Sequence, residues 1–242
     1  MKQVLVYHPT RSMEYGQLLA PLLPEAKLLV AATAEEAAEA IGEADVAFVW
    51  RLPLPLWGRA RRLHWVQAMG AGVEDLVGAP LPDGCALTRV EGLFGGYMSE
   101  FAFSHMLAHT QQLRRLYANQ AARRWEPFQI GLLAGKRLGV AGAGSIGGAI
   151  AHLGKAFGME VWALTRHQRP LTDVDRCFLP GETAQFLGGV DYLVSSLPLT
   201  AETVGLIDPR LMKAGSLLIN IGRGATVNEE ALLSAARAGR VQ

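Results

Sequence analysis

The stretch RLGVAGAGSIGGAIAHLGKAFGMEVWALTR, residues 137–166, decides the fold. It places Gly142, Gly144 and Gly147 at GxGxxG spacing, directly after an apolar run and at the start of a segment with helical composition. A bare GxGxxG can be only a glycine-rich turn, but the order strand, turn, helix and second strand makes it a specific signal. We therefore predict a dinucleotide-binding unit, in which the glycines permit the turn, the approach of a diphosphate and close helix packing.

The two ends of this stretch predict how a dinucleotide would be held. The amides of Ser145 and Ile146 would point at the phosphates from the positive end of the helix. An NAD site should end its second strand in a carboxylate that binds the ribose hydroxyls. Here the strand ends in Leu-Thr-Arg-His, residues 164–167. A guanidinium at Arg166, beside the hydroxyl of Thr165, suits a 2′-phosphate, so we predict NADPH; a solvated arginine is the alternative.

Composition and charge narrow the class of protein. Half of the 242 residues are hydrophobic, enough for one large domain or two modest ones. Lys and Arg total 23 against 22 Asp and Glu, which gives no electrostatic case for nucleic acid or a membrane surface as partner. No signal peptide or membrane span is evident, so we expect a cytoplasmic protein. Cys85 and Cys177 lie far apart, and we expect buried thiols with no disulfide and no metal site.

Two blocks of alternating segments flank one long helix-like stretch. The first block contains QVLVYH, AKLLVAA, DVAFVWR and HWVQAMG, and the second contains RLGVA, EVWALT, DYLVSS and SLLINI. Such alternation predicts an α/β protein whose parallel sheets are covered by helices. Residues 99–124 lack Gly and Pro, and we predict a single linking helix with Ser99 as N-cap. The predicted domains are residues 1–98 and residues 99–242.

Arg223 follows the apolar run LLINI, residues 217–221, and precedes a helix. The carboxyl end of a parallel strand is the edge at which open sheets bind ligands. A cation is disfavoured near the start of a helix unless an anion is close. We therefore predict that Arg223 binds an anionic ligand. The helix after it is complete in itself, from Asn228 as N-cap to Gly239 at its end.

Motifs along the whole chain resemble the D-2-hydroxyacid dehydrogenase family, most closely its glyoxylate/hydroxypyruvate reductase A branch. They are VYHPT, FVWRLP, MGAGVEDL, GYMSEFAFSHML, GVAGAGSIGGAIA, ALTR, SSLPLTAETVGLID and LINIGRGATVNEEALL, of which the last two are the most specific. The resemblance implies two Rossmann-like or flavodoxin-like lobes, the first for substrate and the second for NADP(H) or NAD(H). It also implies reduction of small 2-oxo acids, and we expect a homodimer formed through the helix at residues 99–124.

The resemblance assigns the site residues position by position. The loop GAGVEDL would hold the substrate carboxylate on the amides of Ala71 and Gly72, with Glu74 where the family has Asp. Arg223 would bind the 2-oxo acid and stabilise the charge that grows on its carbonyl oxygen, as the catalytic residue. Further substrate-binding candidates are Trp50, Arg51 and Met98. The cofactor-binding candidates are Gly142, Gly144, Ser145, Ile146, Gly147, Thr165, Arg166, His167, Leu197, Pro198, Thr203, Ile221 and Gly222, with Arg169 as an additional source of charge.

Several of these assignments have alternatives. Trp50 could be a core aromatic at a strand end, and Met98 could pack in the hinge between the domains. Residues 197–203 could be a capped turn after a strand. Arg51 departs from the residue that the family has at its position. The whole protein could instead be a dinucleotide-sensing regulator or scaffold on the same fold, or an NAD-dependent dehydrogenase of a bulkier 2-hydroxy acid.

No residue is assigned as the general acid. In the family a histidine paired with a carboxylate supplies the proton, and both are expected beyond position 242. The histidines present, none in a matching motif, are His8, His64, His105, His109, His152 and His167. The second block supplies four clear strands and a weaker fifth at DRCFL, where the usual arrangement has six. RVQ, residues 240–242, resembles the start of a further strand, so we expect a C-terminal return segment to be missing and SLLINI to lie near an open edge.

Overall fold

The computed structural model describes all 242 residues and divides into two compact units, Met1–Glu91 and Gly92–Gln242. The division falls a few residues before the boundary that the sequence predicted. Each unit contains its own five-stranded parallel sheet, which confirms the predicted α/β class. None of the helices has the length and apolar character needed to cross a membrane.

The first unit has the strand order of a flavodoxin-like sheet, β2-β1-β3-β4-β5. Its strands are β1 (Lys2–Tyr7), β2 (Ala26–Ala31), β3 (Val46–Val49), β4 (Trp65–Ala68) and β5 (Ala86–Thr88). Its helices are α1 (Ser12–Leu19), α2 (Ala34–Ala40) and a 3-10 turn at Leu54–Arg59. Leu5, Val49, Val66 and Trp57 are buried in its core. The sequence predicted the first four strands but not β5, which is only three residues long and largely exposed.

The second unit has the Rossmann order, since its strands lie as β10-β9-β6-β7-β8. They are β6 (Arg137–Ala141), β7 (Glu160–Leu164), β8 (Arg176–Phe178), β9 (Tyr192–Ser195) and β10 (Leu217–Asn220). The helices are α3 (Gly95–Thr110), α4 (Leu113–Ala121), α5 (Ser145–Ala156), α6 (Thr183–Gly189) and α7 (Glu229–Arg237), with 3-10 turns at Pro180–Glu182, Pro209–Leu211 and Gly224–Thr226. The weak fifth strand predicted at DRCFL is β8. Val241 pairs in parallel with Ser216, so residues 240–242 run along the β10 edge as predicted.

The register of the second sheet brings four loops to one edge. Ala141 lies beside Leu164 on one side and beside Ser195 on the other, and Ser195 lies beside Asn220. All these strands are parallel, so the segments that follow them leave the sheet from the same side. The predicted cofactor residues and Arg223 lie in these segments.

The predicted start of the linking helix is wrong. Helix α3 begins at Gly95, and Ser99 lies inside it, where its hydroxyl donates to the carbonyl oxygen of Gly95. The pair Gly95-Gly96 disfavours a helix by propensity, which is why the sequence placed the start later. A Cβ at position 95 would come within 3.0 Å of the Ala149 Cβ, so glycine allows α3 and α5 to approach closely.

The predicted single helix is also broken into α3 and α4. Gln112 adopts a left-handed conformation with φ of 52° between them. The segment at residues 129–131 forms hydrogen bonds with residues at the break. Gly131 N–H donates to the Thr110 carbonyl, and the Gln112 side chain donates to the Gln129 carbonyl at 2.6 Å. A tertiary contact therefore ends a helix that the local sequence would continue.

Two smaller predictions have different outcomes. Asn228 is the N-cap of α7, and its side chain accepts from the Ala231 N–H at 2.9 Å, as predicted. Gly239 follows the helix with φ of 64°. Cys85 and Cys177 are free thiols, but they are only partly buried, because both lie on or beside short strands at the sheet edges.

Candidate functional site

The turn at residues 142–147 has the geometry that its glycines predict. Gly142 adopts φ of +88°, which an L side chain rarely tolerates. A Cβ at Gly147 would collide with the carbonyl oxygen of Gly142, so only glycine lets α5 start this close to the strand. Apart from Gly144 itself and its two chain neighbours, no residue has an atom within 4 Å of the position that a Cβ on Gly144 would occupy, so the turn is open on that side. The turn therefore fits a diphosphate against its backbone.

Helix α5 and two side chains complete this turn. The amides of Ser145 and Ile146 lie in the first turn of α5, where N–H groups have no partner within the helix. The Ser196 hydroxyl donates to the Gly142 carbonyl at 2.7 Å, and Arg169 Nη2 donates to the Ala143 carbonyl at 2.8 Å. The sequence did not assign Ser196, and Arg169 was expected only to add charge. Both fix the orientation of the turn.

Residues 165–167, which follow β7 directly, include no carboxylate. The Thr165 hydroxyl donates to the His167 carbonyl at 3.0 Å, and Arg166 Nε donates to the His167 ring at 3.1 Å. A hydrogen bond from Thr200 is the main cause of a lowered pKa of Glu202, and the charge of Arg166 also lowers that pKa. Arg166 is exposed at the same edge of the sheet as the turn at residues 142–147, and its guanidinium is permanently charged.

The loop at residues 197–203 forms the capped turn that was one of the two alternatives for it, and its contact with the cofactor stays a prediction. Thr203 caps the turn, because its hydroxyl donates to the Pro198 carbonyl at 2.7 Å and accepts from the Thr200 N–H at 2.8 Å. Leu197 is buried between neighbouring loops: a Cβ on Gly142 would lie 3.3 Å from its N atom, and a Cβ on Gly222 would lie 2.6 Å from its carbonyl oxygen. The loop therefore contacts both the turn at residues 142–147 and the turn that contains Arg223.

The backbone of Arg223 is held by a compact set of hydrogen bonds. Its carbonyl accepts from the Thr226 hydroxyl at 2.7 Å, from the Thr226 N–H at 3.1 Å and from Asn220 Nδ2 at 3.0 Å. Asn220 Oδ1 also accepts from the Gly222 N–H at 3.0 Å, and Ile221 N–H donates to the Ser195 carbonyl. Asn220 thus ties both sides of the turn together, a role that the sequence did not suggest.

In the first unit, Trp50 lies at the carboxyl end of β3 and is 39% exposed, so it is not a core aromatic. A Cβ at Gly70 would lie 2.8 Å from Trp50 Cζ3, which means that the indole rests on the loop after β4. The His8 ring lies 5.8 Å from the Trp50 ring, centroid to centroid. Burial, followed by the charge of Arg11, lowers the pKa of His8, so this edge carries a neutral imidazole at pH 7.

The loop at residues 70–72 is held from the segment after β5. The Gly70 carbonyl accepts from the Val90 N–H at 3.2 Å, and the Ala71 carbonyl accepts from Arg89 Nη1 at 2.9 Å. Arg51, predicted to bind substrate, forms an exposed ion pair with Asp75, with Nε and Oδ2 3.3 Å apart. The sequence did not single out Arg89, because it follows the strand that the sequence missed.

Met98 lies in the first turn of α3 in the second unit and is partly buried. Residues that the sequence missed, Arg89, Ser196 and Asn220, share one property: each is a polar residue at or just after the carboxyl end of a parallel strand. That position was the available signal, because such ends converge on one edge of a sheet.

The fold and this edge define an α/β protein that binds a dinucleotide. A family model described as the NAD binding domain of D-isomer specific 2-hydroxyacid dehydrogenases matches residues 103–242. A glyoxylate/hydroxypyruvate reductase A from Serratia proteamaculans is 30% identical, over 98% of this chain and 78% of the relative. One of the same name from Klebsiella pneumoniae subsp. pneumoniae is 31% identical, over 99% of this chain and 78% of the relative. The chain belongs to the D-isomer-specific 2-hydroxyacid dehydrogenase family, as its motifs predicted.

Solved structures agree with this assignment. A D-isomer specific 2-hydroxyacid dehydrogenase family protein from Aeromonas salmonicida has a TM-score of 0.89 and 36% identity, covering 99% of this chain and 79% of that one. An NADPH-dependent glyoxylate/hydroxypyruvate reductase from Sinorhizobium meliloti, in complex with NADP and sulfate, has a TM-score of 0.88 and 28% identity, covering 100% and 79%. The two-lobed α/β fold is therefore that of the family.

Proposed function

We propose that this protein is an NADPH-preferring reductase that converts small 2-oxo acids, such as glyoxylate and hydroxypyruvate, into 2-hydroxy acids. The main observation behind the proposal is that one residue contacts both the turn at residues 142–147 and the turn that contains Arg223. Leu197 packs against both Gly142 of the glycine turn and Gly222, the residue before Arg223. A dinucleotide on the first turn and an anionic substrate on Arg223 would thus be held at one edge. The names of the similar reductases support the same substrate class.

The residues at this edge fit a dinucleotide. The open face of Gly144 and the amides of Ser145 and Ile146 would hold the diphosphate. Residues Thr165, Arg166 and His167 would hold a 2′-phosphate, and Leu197 with Pro198 would flank the adenosine. Thr203 would lie near the cofactor phosphates, and Ile221 and Gly222 are further proposed cofactor-binding residues. When bound, the nicotinamide supplies the hydride.

Arg223 would bind the substrate and stabilise the charge that forms on it. A guanidinium is permanently charged and can donate two parallel hydrogen bonds to a 2-oxo acid. As the carbonyl carbon is reduced, negative charge grows on its oxygen, and a cation already in place lowers the barrier. The amides of Ala71 and Gly72 would hold the substrate carboxylate, and Trp50, Arg51 and Met98 are further proposed substrate-binding residues.

Steady-state kinetics test this proposal. The full natural chain should oxidise NADPH with glyoxylate and with hydroxypyruvate, and Arg223→Met should lower kcat/KM by about a hundredfold to a thousandfold. Arg223→Lys keeps the charge but loses the paired donors, so it should recover only part of the rate. NADPH affinity, measured by fluorescence, should be unchanged in both variants. Binding of NADPH without turnover of either acid would favour the regulator or scaffold alternative.

The preference for NADPH rests on Arg166 and is tested separately. Arg166→Ala should weaken NADPH binding by about tenfold or more and leave NADH binding nearly unchanged, because only NADPH carries the 2′-phosphate. An unchanged ratio of the two affinities would remove the cofactor argument. It would leave the NAD-dependent dehydrogenase of a bulkier hydroxy acid as the better alternative.

We also propose a homodimer formed through α3 and α4. Large apolar side chains are exposed on these helices and just after them, namely Tyr97, Phe101, Leu116, Tyr117 and Trp125. Such a concentration of exposed apolar surface is typical of an interface. Light scattering should give the mass of two chains, and Phe101→Glu combined with Leu116→Glu should give one. A wild-type protein that is monomeric at micromolar concentration contradicts this part of the proposal.

A further inference from the structure

The loop at residues 70–72 contains two peptide units whose carbonyl oxygens both accept a hydrogen bond. The peptide unit that contributes the Ala71 N–H has the Gly70 carbonyl at its other end, and that carbonyl accepts from the Val90 N–H at 3.2 Å. The unit that contributes the Gly72 N–H has the Ala71 carbonyl, which accepts from Arg89 Nη1 at 2.9 Å. Neither the Ala71 nor the Gly72 N–H donates to a backbone carbonyl within residues 1–91.

These two hydrogen bonds also determine the direction in which the Ala71 and Gly72 N–H groups point. A trans peptide is planar, and its C=O and N–H point in opposite directions. A donor that fixes the Ala71 carbonyl therefore also fixes the direction of the Gly72 N–H, away from Arg89. Gly72 has no side chain to hinder rotation of that peptide unit, so without an external donor the N–H would be free to turn.

The charge of Arg89 adds a second effect. A hydrogen bond from a guanidinium is stronger than one from a neutral donor, and a polarised peptide unit donates more strongly at its other end. Arg89 is only loosely paired itself, since its Nη2 lies 3.9 Å from a carboxylate oxygen of Glu91. Its closest contact is with the Ala71 carbonyl.

We propose that Arg89 is a positioning residue that orients the Ala71–Gly72 peptide unit so that its N–H binds the carboxylate of the substrate. The inference rests on the proposed function, because it assumes that this loop receives a 2-oxo acid. Arg89 would not touch the substrate, and its effect would pass through the Ala71 carbonyl. Val90 acts on the preceding unit through its backbone, so a substitution at Arg89 leaves that contact in place.

The test compares Arg89→Met and Arg89→Lys in the full natural chain, with Arg61→Met as the control at an exposed arginine of the same unit. Arg89→Met should raise KM for glyoxylate and the inhibition constant of oxamate together, by about tenfold to a hundredfold. It should change kcat much less and leave the affinity for NADPH unchanged. Arg89→Lys keeps a charged donor and should restore part of the loss.

The outcomes separate this inference from the proposed function. If the wild-type protein turns over glyoxylate but Arg89→Met changes neither KM nor oxamate inhibition by more than about twofold, only the role of Arg89 is overturned. A rise in the NADPH dissociation constant that matches the rise in KM would indicate general unfolding and would also overturn it. A wild-type protein that neither reduces 2-oxo acids nor binds oxamate overturns both.

Discussion

The chain contains two Gly-Ala-Gly turns, at residues 70–72 in the first unit and at residues 142–144 in the second. Each follows an internal strand of its parallel sheet, β4 in the first and β6 in the second. In each, an arginine donates to the carbonyl of the central alanine: Arg89 to Ala71 at 2.9 Å and Arg169 to Ala143 at 2.8 Å. The same tripeptide is therefore fixed through the same carbonyl in both units.

The two turns differ in what else supports them. The turn at 142–144 runs directly into α5, is packed beneath by Gly147 and is held by the Ser196 hydroxyl. No helix follows the turn at 70–72, whose carbonyls depend on Arg89 and Val90 in the segment after β5. We infer that the turn at 142–144 is part of the core of its unit. The turn at 70–72 is instead an adjustable loop, whose geometry is set by residues distant in the sequence.

The largest expected effect is at Gly147, where a methyl group breaks the better supported turn. Gly147→Ala should lower the free energy of unfolding by about 3 kcal/mol, because the new Cβ collides with the Gly142 carbonyl. NADPH binding should weaken by about a hundredfold or more. Thermal unfolding and fluorescence titration measure the two quantities.

Gly148→Ala is the matched control, one residue further along α5. No atom lies within 4 Å of its Cβ position, so alanine should stabilise the helix by about 0.5 to 1 kcal/mol. Equal losses in the two variants would show that the effect comes from the helix in general and not from the contact with Gly142.

A methyl group in the other turn should affect substrate binding more than stability. In Gly70→Ala the new Cβ would lie 2.8 Å from Trp50 Cζ3, and the exposed indole can move aside. We expect KM for glyoxylate to rise by about tenfold, with a stability loss below about 1.5 kcal/mol.

A double-mutant cycle with Trp50→Leu identifies the cause. If the indole transmits the effect, Gly70→Ala should change KM little once Trp50 is replaced. Gly58→Ala, at a site with no atom within 4 Å of its Cβ position, is the control. Full additivity of the two substitutions would contradict the contact.

Arg169 should matter less to its turn than Arg89 does, because α5 and Ser196 also hold residues 142–144. Arg169→Met should weaken NADPH and NADH binding by the same factor, about fivefold, since the turn would contact the diphosphate that both cofactors share. A loss confined to NADPH would instead place Arg169 on the 2′-phosphate, as Arg166 is proposed to be.

The same contrast explains what the sequence could predict. The turn at 142–147 meets its steric requirements within six residues, so the GxGxxG spacing alone describes it. The support of the turn at 70–72 comes from Arg89, which is 18 residues away from Ala71 and follows a strand too short to recognise. Likewise, the break at Gln112 depends on hydrogen bonds from residues 129–131. Local sterics could be predicted from the sequence, whereas contacts made by tertiary packing could not.

The smallest effects on stability and binding are expected at the N-caps of α2 and α7, which occur in both units and do not involve either Gly-Ala-Gly turn. Thr33 caps α2 by accepting from the Glu36 N–H at 3.2 Å, and Asn228 caps α7 by accepting from the Ala231 N–H at 2.9 Å. Replacement of either by alanine should lower stability by about 1 kcal/mol, with no change in KM or NADPH affinity. Thr33→Ser and Asn228→Asp keep an acceptor and should retain most of it, as thermal unfolding can show. A cap variant that shifted KM would mean that the turns are not independent of the helices around them, and the contrast between a core turn and an adjustable loop would have to be abandoned.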